Sequence, residues 1–433
     1  MPGSNSKSDT TQKIRILSPS VLAAVMVLPA ACVVASPCRY NLTDLGTLPG
    51  YEHSRAWSIN NNGQIVGEIS NLNPVFACRA VLFDAAGDDN NIDLGTPGEG
   101  NSYAYSVNIK GQIVGGDDPN DFPFNWHATI FDANGGGNNI KLANGSCACS
   151  INDNGQIVGD MVNGSGFRRA AIFDVNDLNK NTLLGTIDGF DYSAAGSINN
   201  SGQIVGCAYI GPIPEQARAV RFDPSGQGNN IDLGTLGGEY SGAFSTNDHG
   251  QIVGYADTAS GQSHATLFDP NGSGNNIDLG TVAGCNGSGA SSINNRGQIV
   301  GQANNFPLAS PLLAVLFDPT GGGNNIELNR LINPELGWSL YSASCINDNG
   351  WIVGWGTNPQ GEPRSFLLKP QTSGDFEPDA DVDLEDFAVF ASAWKSKDGD
   401  INWNVFCDIS CPEDGLVDEL DLSVFCSNWL AQQ

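Results

Sequence analysis

The residues best suited to chemistry lie near the carboxyl end of the chain, where acidic side chains recur at short, fixed intervals. Asp375, Glu377 and Asp379 occupy alternate positions, and Asp386 follows seven residues later. Oxygen ligands at positions 1, 3, 5 and 12 of one loop converge on a single point, which is what a hard cation such as Ca²⁺ requires. The spacing therefore predicts a calcium-binding loop.

A second, related loop begins 33 residues later. Its oxygen-bearing residues are Asp408, Ser410, Asp414 and Asp421, and the insertion Cys411-Pro412 separates the second from the third. Residues 371–433 hold 15 acids against two Lys, a net charge of −13. A helix is predicted after each loop, because large apolar residues recur there at helical spacing. These are Phe387, Phe390 and Trp394 after the first loop, and Leu422, Phe425 and Trp429 after the second.

The paired loop–helix units resemble a dockerin domain. The resemblance implies two bound Ca²⁺ ions and docking onto a cohesin-like protein. It implies these ligands: Asp375, Glu377, Asp379, Asp386 and the carbonyl of Asp381 in the first loop, and Asp408, Ser410, Asp414, Asp421 and the carbonyl of Leu416 in the second.

Two features depart from the dockerin pattern. Ala380 stands where the family's first loop has Gly, and Leu384-Glu385 and Glu419-Leu420 replace the family's Ser-Thr recognition pair. Cohesin binding is therefore a weaker expectation than calcium binding. Cys407 and Cys426 flank the second loop and its helix, and we predict a disulfide between them.

The middle of the chain repeats one unit seven times. The pentapeptide Gly-Gln-Ile-Val-Gly starts at residues 63, 111, 155, 202, 250 and 297, and Gly-Trp-Ile-Val-Gly starts at 350. Around each copy lie a Ser-Ile-Asn segment, an apolar run ending in Phe-Asp, and an Ile-Asp-Leu-Gly segment. Each repeat thus contains four short strand candidates, separated by Asn-Gly and Asp-Gly turns that are typical of hairpins.

Four short strands per forty-odd residues predict the blade of a β-propeller. The last repeat lacks one strand, which the segment Leu42–Thr47 at the front supplies. We therefore predict an all-β, seven-bladed propeller over residues 39–370, closed by its amino-terminal strand. A linker at 371–374 and a small helical calcium-binding domain at 375–433 follow it. The alternative is an open β-solenoid.

The repeats also resemble the HAF family of bacterial extracellular repeats. The resemblance rests on Leu-Gly-Thr-Leu-Gly-Gly (233–238), Ser-Ile-Asn, Gly-Gln-Ile-Val-Gly, and the His-Ala pairs at His127 and His264. It implies an exported repeat protein and no particular activity. Other copies place Arg79, Arg169, Arg218 or Leu313 at the His position, so this position is predicted to be structural.

The amino terminus and the overall charge limit the functions open to the protein. Three bases precede an apolar stretch at 21–34, which predicts a signal peptide over residues 1–35 and a secreted or cell-surface protein. No other stretch is long and apolar enough to span a membrane. The formal charge of −28 argues against a nucleic-acid partner, because phosphate binding needs clustered bases.

Familiar catalytic motifs are missing from the sequence. The recurrent Asp residues (84, 132, 174, 223, 269 and 318) each precede a Gly/Asn loop, which favours an Asx-type turn over a calcium site. An acid needed once for catalysis should interrupt the repeat pattern, and no acid does so. The departures lie instead in loops near 118–126, 210–215, 304–311 and 333–340. Candidate aromatic binding residues near them are Trp57, Tyr103, Tyr105, Trp126 and Trp338.

Two hypotheses follow from these patterns. The first is a non-enzymatic secreted propeller that binds a surface, glycan or protein ligand and docks through its calcium-dependent tail onto an extracellular assembly. The second is a glycoside hydrolase active in polysaccharide breakdown, because dockerins commonly accompany such enzymes. A catalytic carboxylate pair would support the second.

Overall fold

The chain folds into a seven-bladed β-propeller and a small helical unit. The computed structural model describes residues 40–71, 77–96, 100–118, 126–177, 180–211, 216–305 and 312–371, and, near the carboxyl end, 382, 384–397, 400, 402, 407, 409 and 416–431. Arg39–Pro370 forms one compact unit, and Gln371–Gln433 belongs to the other. The propeller predicted from the repeats is confirmed.

Each blade is an antiparallel sheet of four strands in chain order, and one strand of the last blade comes from the front of the chain. Blade 1 contains β2 (His53–Ile59), β3 (Ile65–Asn71), β4 (Ala77–Phe83) and β5 (Ile92–Asp93). Blade 2 contains β6 (Asn101–Val107), β7 (Ile113–Asp118), β8 (His127–Phe131) and β9 (Ile140–Asn144). Blade 3 contains β10 (Ser146–Ile151), β11 (Ile157–Val162), β12 (Arg168–Phe173) and β13 (Thr182–Gly185). Blade 4 contains β14 (Tyr192–Ile198), β15 (Ile204–Ile210), β16 (Gln216–Phe222) and β17 (Ile231–Asp232).

The remaining blades follow the same plan. Blade 5 contains β18 (Gly237–Thr246), β19 (Ile252–Thr258), β20 (Ser263–Phe268) and β21 (Ile277–Gly280). Blade 6 contains β22 (Gly287–Ile293), β23 (Ile299–Asn304), β24 (Leu312–Phe317) and β25 (Ile326–Glu327). Blade 7 contains β26 (Ser339–Ile346), β27 (Ile352–Thr357), β28 (Pro363–Pro370) and β1 (Tyr40–Asp44). Two 3₁₀ helices, Leu328–Leu331 and Pro334–Leu336, connect blades 6 and 7.

The amino-terminal strand closes the ring, as the sequence predicted. β1 pairs antiparallel with β28, from Tyr40 opposite Pro370 to Asp44 opposite Phe366. The strand starts and ends slightly earlier than the predicted segment 42–47. Without β1, β28 would present an unpaired edge, which is a site for aggregation.

Neighbouring blades pack face to face through apolar residues of the repeat. Between blades 1 and 2, Val66 and Ala80 pack against Ala104, Ile113 and Phe131, all of them buried. Fully burying an aliphatic or aromatic side chain contributes roughly 1.5–3 kcal/mol. Since the same positions recur in every blade, the core is one interface repeated around the ring.

The second glycine of Gly-x-Ile-Val-Gly is required by a close approach of two strands. A Cβ at Gly67 would lie 2.0 Å from the carbonyl oxygen of Arg55 on the neighbouring innermost strand. That strand has a β-bulge directly after this contact, between Ala56 and Ser58. The seven equivalent glycines all show this contact at 1.9–2.1 Å, so no larger residue fits there without moving the backbone.

An asparagine from each blade forms a closed ring of hydrogen bonds around the propeller axis. We call these seven residues the Asn ring: Asn60, Asn108, Asn152, Asn199, Asn247, Asn294 and Asn347. Each Nδ2 donates to the backbone carbonyl of the next ring residue at 2.7–3.0 Å, and Asn347 donates to Asn60 to close the circle. Each Oδ1 accepts two amide N–H groups of its own hairpin, as Asn199 does from Ser201 and Gln203.

The Gln of the pentapeptide supports the same ring. Asn60 Nδ2 also donates to Gln64 Oε1 at 2.8 Å, and the pattern recurs in five further blades. The seventh copy has Trp351 instead, whose ring packs where a Cβ of Gly63 would project.

The carboxyl-terminal unit contains two helices, α1 (Leu384–Ala393) and α2 (Glu419–Ala431). Its core includes Phe390, Ala393, Cys407 and Val417, and Phe390 stacks on Phe425 with ring centroids 5.5 Å apart. Within the described parts of the chain, no helix is long and apolar enough to cross a bilayer.

The Cys407–Cys426 disulfide stays a prediction. Cys407 is buried in the cluster of Phe390, and Cys426, which lies on α2, is half-buried. The preceding α2 residue, Phe425, stacks on Phe390.

Removing one member of the Asn ring should destabilise the propeller strongly. In an Asn199→Ala variant, the Asn247 carbonyl and the Ser201 and Gln203 amides lose their partner, and each unsatisfied buried group costs about 1–3 kcal/mol. We expect a loss of about 3 kcal/mol in the free energy of unfolding, measured by urea titration. Asn229→Ala, in an exposed loop, should stay within about 0.5 kcal/mol of wild type; equal effects of the two changes would contradict the role of the ring.

Candidate functional site

The two ends of the propeller differ in how far the blades depart from one another. At one end, the connection from first to second strand always has five residues, from 60–64 in blade 1 to 347–351 in blade 7. At the other end, the connection from second to third strand varies from 259–262 in blade 5 to 119–126 in blade 2. We call these the ring end and the variable end. Since binding residues are mostly carried by loops that differ between repeats, the variable end is the candidate site.

At the ring end, the polar side chains form hydrogen bonds with one another. A cavity of about 180 Å³ at the mouth of the axis is lined by the Asn ring and by the residues that follow it. The following residues alternate between Asp and Asn through most of the circle, as Asp153, Asn200, Asp248, Asn295, Asp348 and Asn61. Neighbouring side chains in this series bond at 2.8–3.1 Å. Seven positions cannot alternate evenly, and Ile109 stands at the break.

The recurrent Asp residues close their own loops, as the sequence predicted. Asp84 Oδ1 accepts the Ala86 amide at 3.0 Å, and Asp84 Oδ2 accepts the Asn90 side chain at 3.0 Å. Bonds from Ser225 and Asn229 lower the pKa of Asp223 to about 2. Both oxygens are therefore used within the turn.

The His/Arg position of the repeat is structural in the blades where it carries Arg. Arg169, Arg218 and Arg364 each donate to a backbone carbonyl where the chain enters the next blade, at Asp191, Glu239 and Glu52. These bonds tie one blade to the next at the variable end.

Three aromatic rings stack at the variable end of blade 2. Tyr103 lies 4.9 Å from Trp126 and 6.0 Å from Tyr105, centroid to centroid, with interplanar angles of 22° and 6°. Trp126 covers Gly116, because a Cβ at that glycine would lie 2.9 Å from the indole. We call Tyr103, Tyr105 and Trp126 the aromatic platform; all three were sequence candidates.

The other two aromatic candidates lie elsewhere. Trp57 is on the innermost strand of blade 1, next to Glu68. Trp338 packs against the core between blades 6 and 7. A separate aromatic group joins blades 7 and 1, where the Arg55 guanidinium lies 4.7 Å from the Trp355 ring centroid.

Glu68 is a half-buried carboxyl group beside the platform. Burial raises its pKa, and Trp57, Arg55 and Cys78 oppose that shift. The pKa of Tyr103 is raised by burial and by the charges at Cys78 and Glu68, which places the platform and the carboxyl in one electrostatic environment. On blade 3, burial likewise raises the pKa of Asp160, which is paired with Arg168.

The interpretation that no acid breaks the repeat is wrong for Asp117. Asp117 is 1% exposed, and it accepts from Thr129 Oγ1 at 2.6 Å and lies 3.0 Å from His127 Nδ1. The equivalent positions in other blades are apolar or Gly: Ile69, Met161, Ala208, Ala256, Ala303 and Gly356. Counting two residues beyond each Gly-x-Ile-Val-Gly would have found it.

Of the predicted calcium ligands, the described residues include Asp386, Leu416 and Asp421; Asp375, Glu377, Asp379, Asp381, Asp408, Ser410 and Asp414 lie outside the described residues. Asp386 and Asp421 are each the third residue of a helix and are 0% exposed. Asp421 accepts the backbone amides of Ile409 at 2.7 Å and Asp418 at 2.8 Å. Leu416 forms an antiparallel bridge with Lys397. Among the described residues, no three His, Cys, Asp or Glu side chains converge as metal ligands do.

Comparison with known proteins finds distant structural similarities. No family model and no curated protein matches the chain. The WD40 β-propeller domain of Doa1 is 13% identical, with 75% of this chain and 97% of that chain covered and a TM-score of 0.40. A gluconolactonase from Xanthomonas campestris is 11% identical (67% and 89% covered, TM-score 0.37), and a Trypanosoma rangeli sialidase is 11% identical (76% and 57% covered, TM-score 0.36). At these identities the similarity concerns the fold alone.

Replacing Glu68 by Gln should raise stability at neutral pH. When a carboxyl has a higher pKa in the folded state than in the unfolded state, the free energy of unfolding falls as the pH rises through that interval. Below the unfolded pKa, about 4, the carboxyl causes no such loss. Glu68→Gln should therefore increase the melting temperature at pH 7, with the gain disappearing near pH 4. Glu52→Gln, at an exposed acid, is the control. A gain independent of pH would show that charge burial at Glu68 is not the cause.

Proposed function

We propose that the protein is a secreted glycan-binding propeller that docks onto an extracellular assembly through a calcium-stabilised tail. The observation that carries this proposal is the aromatic platform next to the half-buried carboxyl of Glu68, at the end where the blades diverge. Stacked aromatic faces supply apolar contact area. A few fixed polar groups beside them orient a ligand.

The chemistry of the platform favours a sugar. Pyranose rings have an apolar face of C–H groups that packs on an aromatic ring, and hydroxyl groups at their edge that donate to a carboxylate. Tyr103 and Trp126 offer such a face, and Glu68 offers the acceptor. An extended peptide is the alternative ligand of the same surface.

Loss of one platform ring should weaken glycan binding without affecting the fold. Trp126→Ala removes a central aromatic contact, and central aromatic residues commonly account for 2 kcal/mol or more of binding. We expect at least about tenfold weaker binding of the best ligand found on a glycan array, measured by calorimetry.

Trp351→Gln is the matched control, because it restores the residue of the other six repeats at the ring end. It should bind like wild type. Equal weakening by both variants would refute the placement of the site, and a full chain that binds peptides but no glycan would refute the ligand class.

A glycoside hydrolase is the second candidate function, and the raised pKa values of Glu68 and Asp160 favour it. A raised pKa makes a carboxyl better suited to act as a general acid. A hydrolysis screen of the full chain distinguishes the two functions. Turnover that disappears in Glu68→Gln while binding remains would establish the enzyme, and binding without turnover would support the first proposal.

Calcium binding by the tail is supported by the two buried carboxylates. Asp386 and Asp421 have the same place in their helices, and hard oxygen donors are what Ca²⁺ binds. When bound, the ion would supply the positive charge that such buried carboxylates require. Asp386 and Asp421 would be ligands, together with the predicted residues outside the described part of the chain.

Removal of calcium should lower the stability of the tail, because the free energy of metal binding adds to that of folding. In calorimetry of the full chain, EDTA should lower or abolish a transition assigned to the tail and leave the propeller transition unchanged. Asp421→Asn should reproduce the effect in the presence of calcium. Glu419→Gln, at an exposed acid in the same helical turn, should not; identical traces with and without EDTA would contradict the proposal.

A further inference from the structure

Two cysteines stand two residues apart on β10, the innermost strand of blade 3. Cys147 pairs with Asp160 across the sheet, and Cys149 is the extra residue of a β-bulge between Ala148 and Ser150. Both thiols are half-buried. The repeat does not require them, because the equivalent pairs are Arg55 and Trp57, Tyr103 and Tyr105, Ala194 and Gly196, Gly242 and Phe244, Gly289 and Ser291, and Ser342 and Ser344.

The backbone brings the two sulfurs within bonding range. A strand rises about 3.3 Å per residue, so Cα atoms two residues apart are about 6.6 Å apart. Disulfides join Cα atoms about 4.4–6.8 Å apart, and a bulge residue near helical conformation shortens the separation further. The neighbouring Cys149 thiol and burial raise the pKa of Cys147.

A third thiol lies near the pair, on the next blade. Cys207 pairs with Ala194 within blade 4. Burial, together with the charges at Asp160 and Cys149, raises its pKa to about 11. Cys149 thus has two neighbouring thiols. Cys147 lies two residues away on the same strand, whereas Cys207 lies on the next blade.

We propose that Cys147 and Cys149 are a redox-active dithiol that exchanges with low-molecular-weight disulfides such as oxidised glutathione. The Cys149 thiolate attacks one sulfur of the disulfide, forming a mixed disulfide and releasing one glutathione thiolate. The Cys147 thiolate then attacks the Cys149 sulfur, closing the protein disulfide and releasing the second. Two protein thiols are oxidised, one glutathione disulfide is reduced to two thiols, and the two protons go to the leaving thiolates.

The raised pKa of the resolving thiol determines how closure of the disulfide depends on pH. The thiolate is the attacking form, and its fraction rises about tenfold for each pH unit below the thiol pKa. Closure by Cys147 should therefore accelerate about tenfold per unit between pH 7 and pH 9. This inference does not depend on the ligand of the aromatic platform.

Peptide mapping of the full chain tests the proposal. The reduced protein is incubated with oxidised glutathione, acid-quenched, alkylated with N-ethylmaleimide and digested with trypsin. Peptide 142–168 contains Cys147 and Cys149 and no other cysteine, and peptide 181–218 contains Cys207 alone. The proposal predicts that peptide 142–168 loses two hydrogens and takes up no maleimide. Full alkylation of that peptide, or its cross-linking to peptide 181–218, would overturn it.

Two variants add a readout of the intermediate. Cys147→Ser lacks the resolving thiol, so the mixed disulfide with glutathione should accumulate on Cys149. Cys285→Ser, at a half-buried thiol of another blade, should behave as wild type, with melting temperatures confirming that both variants are folded. A Cys147→Ser protein that forms no adduct, or a closure rate that is flat from pH 7 to pH 9, would contradict the proposed exchange.

Discussion

The structure depends on one hydrogen bond made seven times, from the side-chain amide of each ring asparagine to the backbone of the next blade. The seventh bond, from Asn347 to Asn60 at 3.0 Å, is possible only when all blades are present and evenly turned about the axis. The bond requires the same five-residue hairpin in each repeat, and the strand behind it requires the glycine that passes 1.9–2.1 Å from a carbonyl. These demands account for Asn and Gly-x-Ile-Val-Gly in every copy, with Trp351 the one exception at the Gln between them.

Closure at one end leaves the other end free to vary. Among the described residues, Arg and Ser contacts between adjacent blades tie the variable end together, such as the Ser102 Oγ that accepts from the Ala80 amide at 2.9 Å. Departures there do not disturb the ring, so blade 1 can carry the half-buried carboxyl of Glu68. Blade 2 can carry the buried Asp117 where the other blades have apolar residues or Gly. Such polar residues lower the stability of the fold near blades 1 and 2, as is common at binding sites.

Much of the fold could be predicted because each repeat states the same local pattern. Alternating apolar residues, Asn-Gly turns and a missing last strand led to the propeller and to its closure by the front of the chain. Asp117 lies two residues beyond the shared pentapeptide, so only a position-by-position comparison of the seven repeats distinguishes it. The β-bulge after Ala56 lies on the innermost strand, and the sequence contains no direct signal for it.

The central claim is that residues shared by all repeats hold the ring, whereas residues that break the repeat bind the ligand. Hydrogen–deuterium exchange of the full chain, with and without a saturating glycan ligand, tests it most directly. The account predicts new protection in the segments around residues 55–57, 66–70 and 102–106, with no change in the hairpins at 60–64 and 199–203. Protection confined to those hairpins would place the ligand at the ring end and contradict the account.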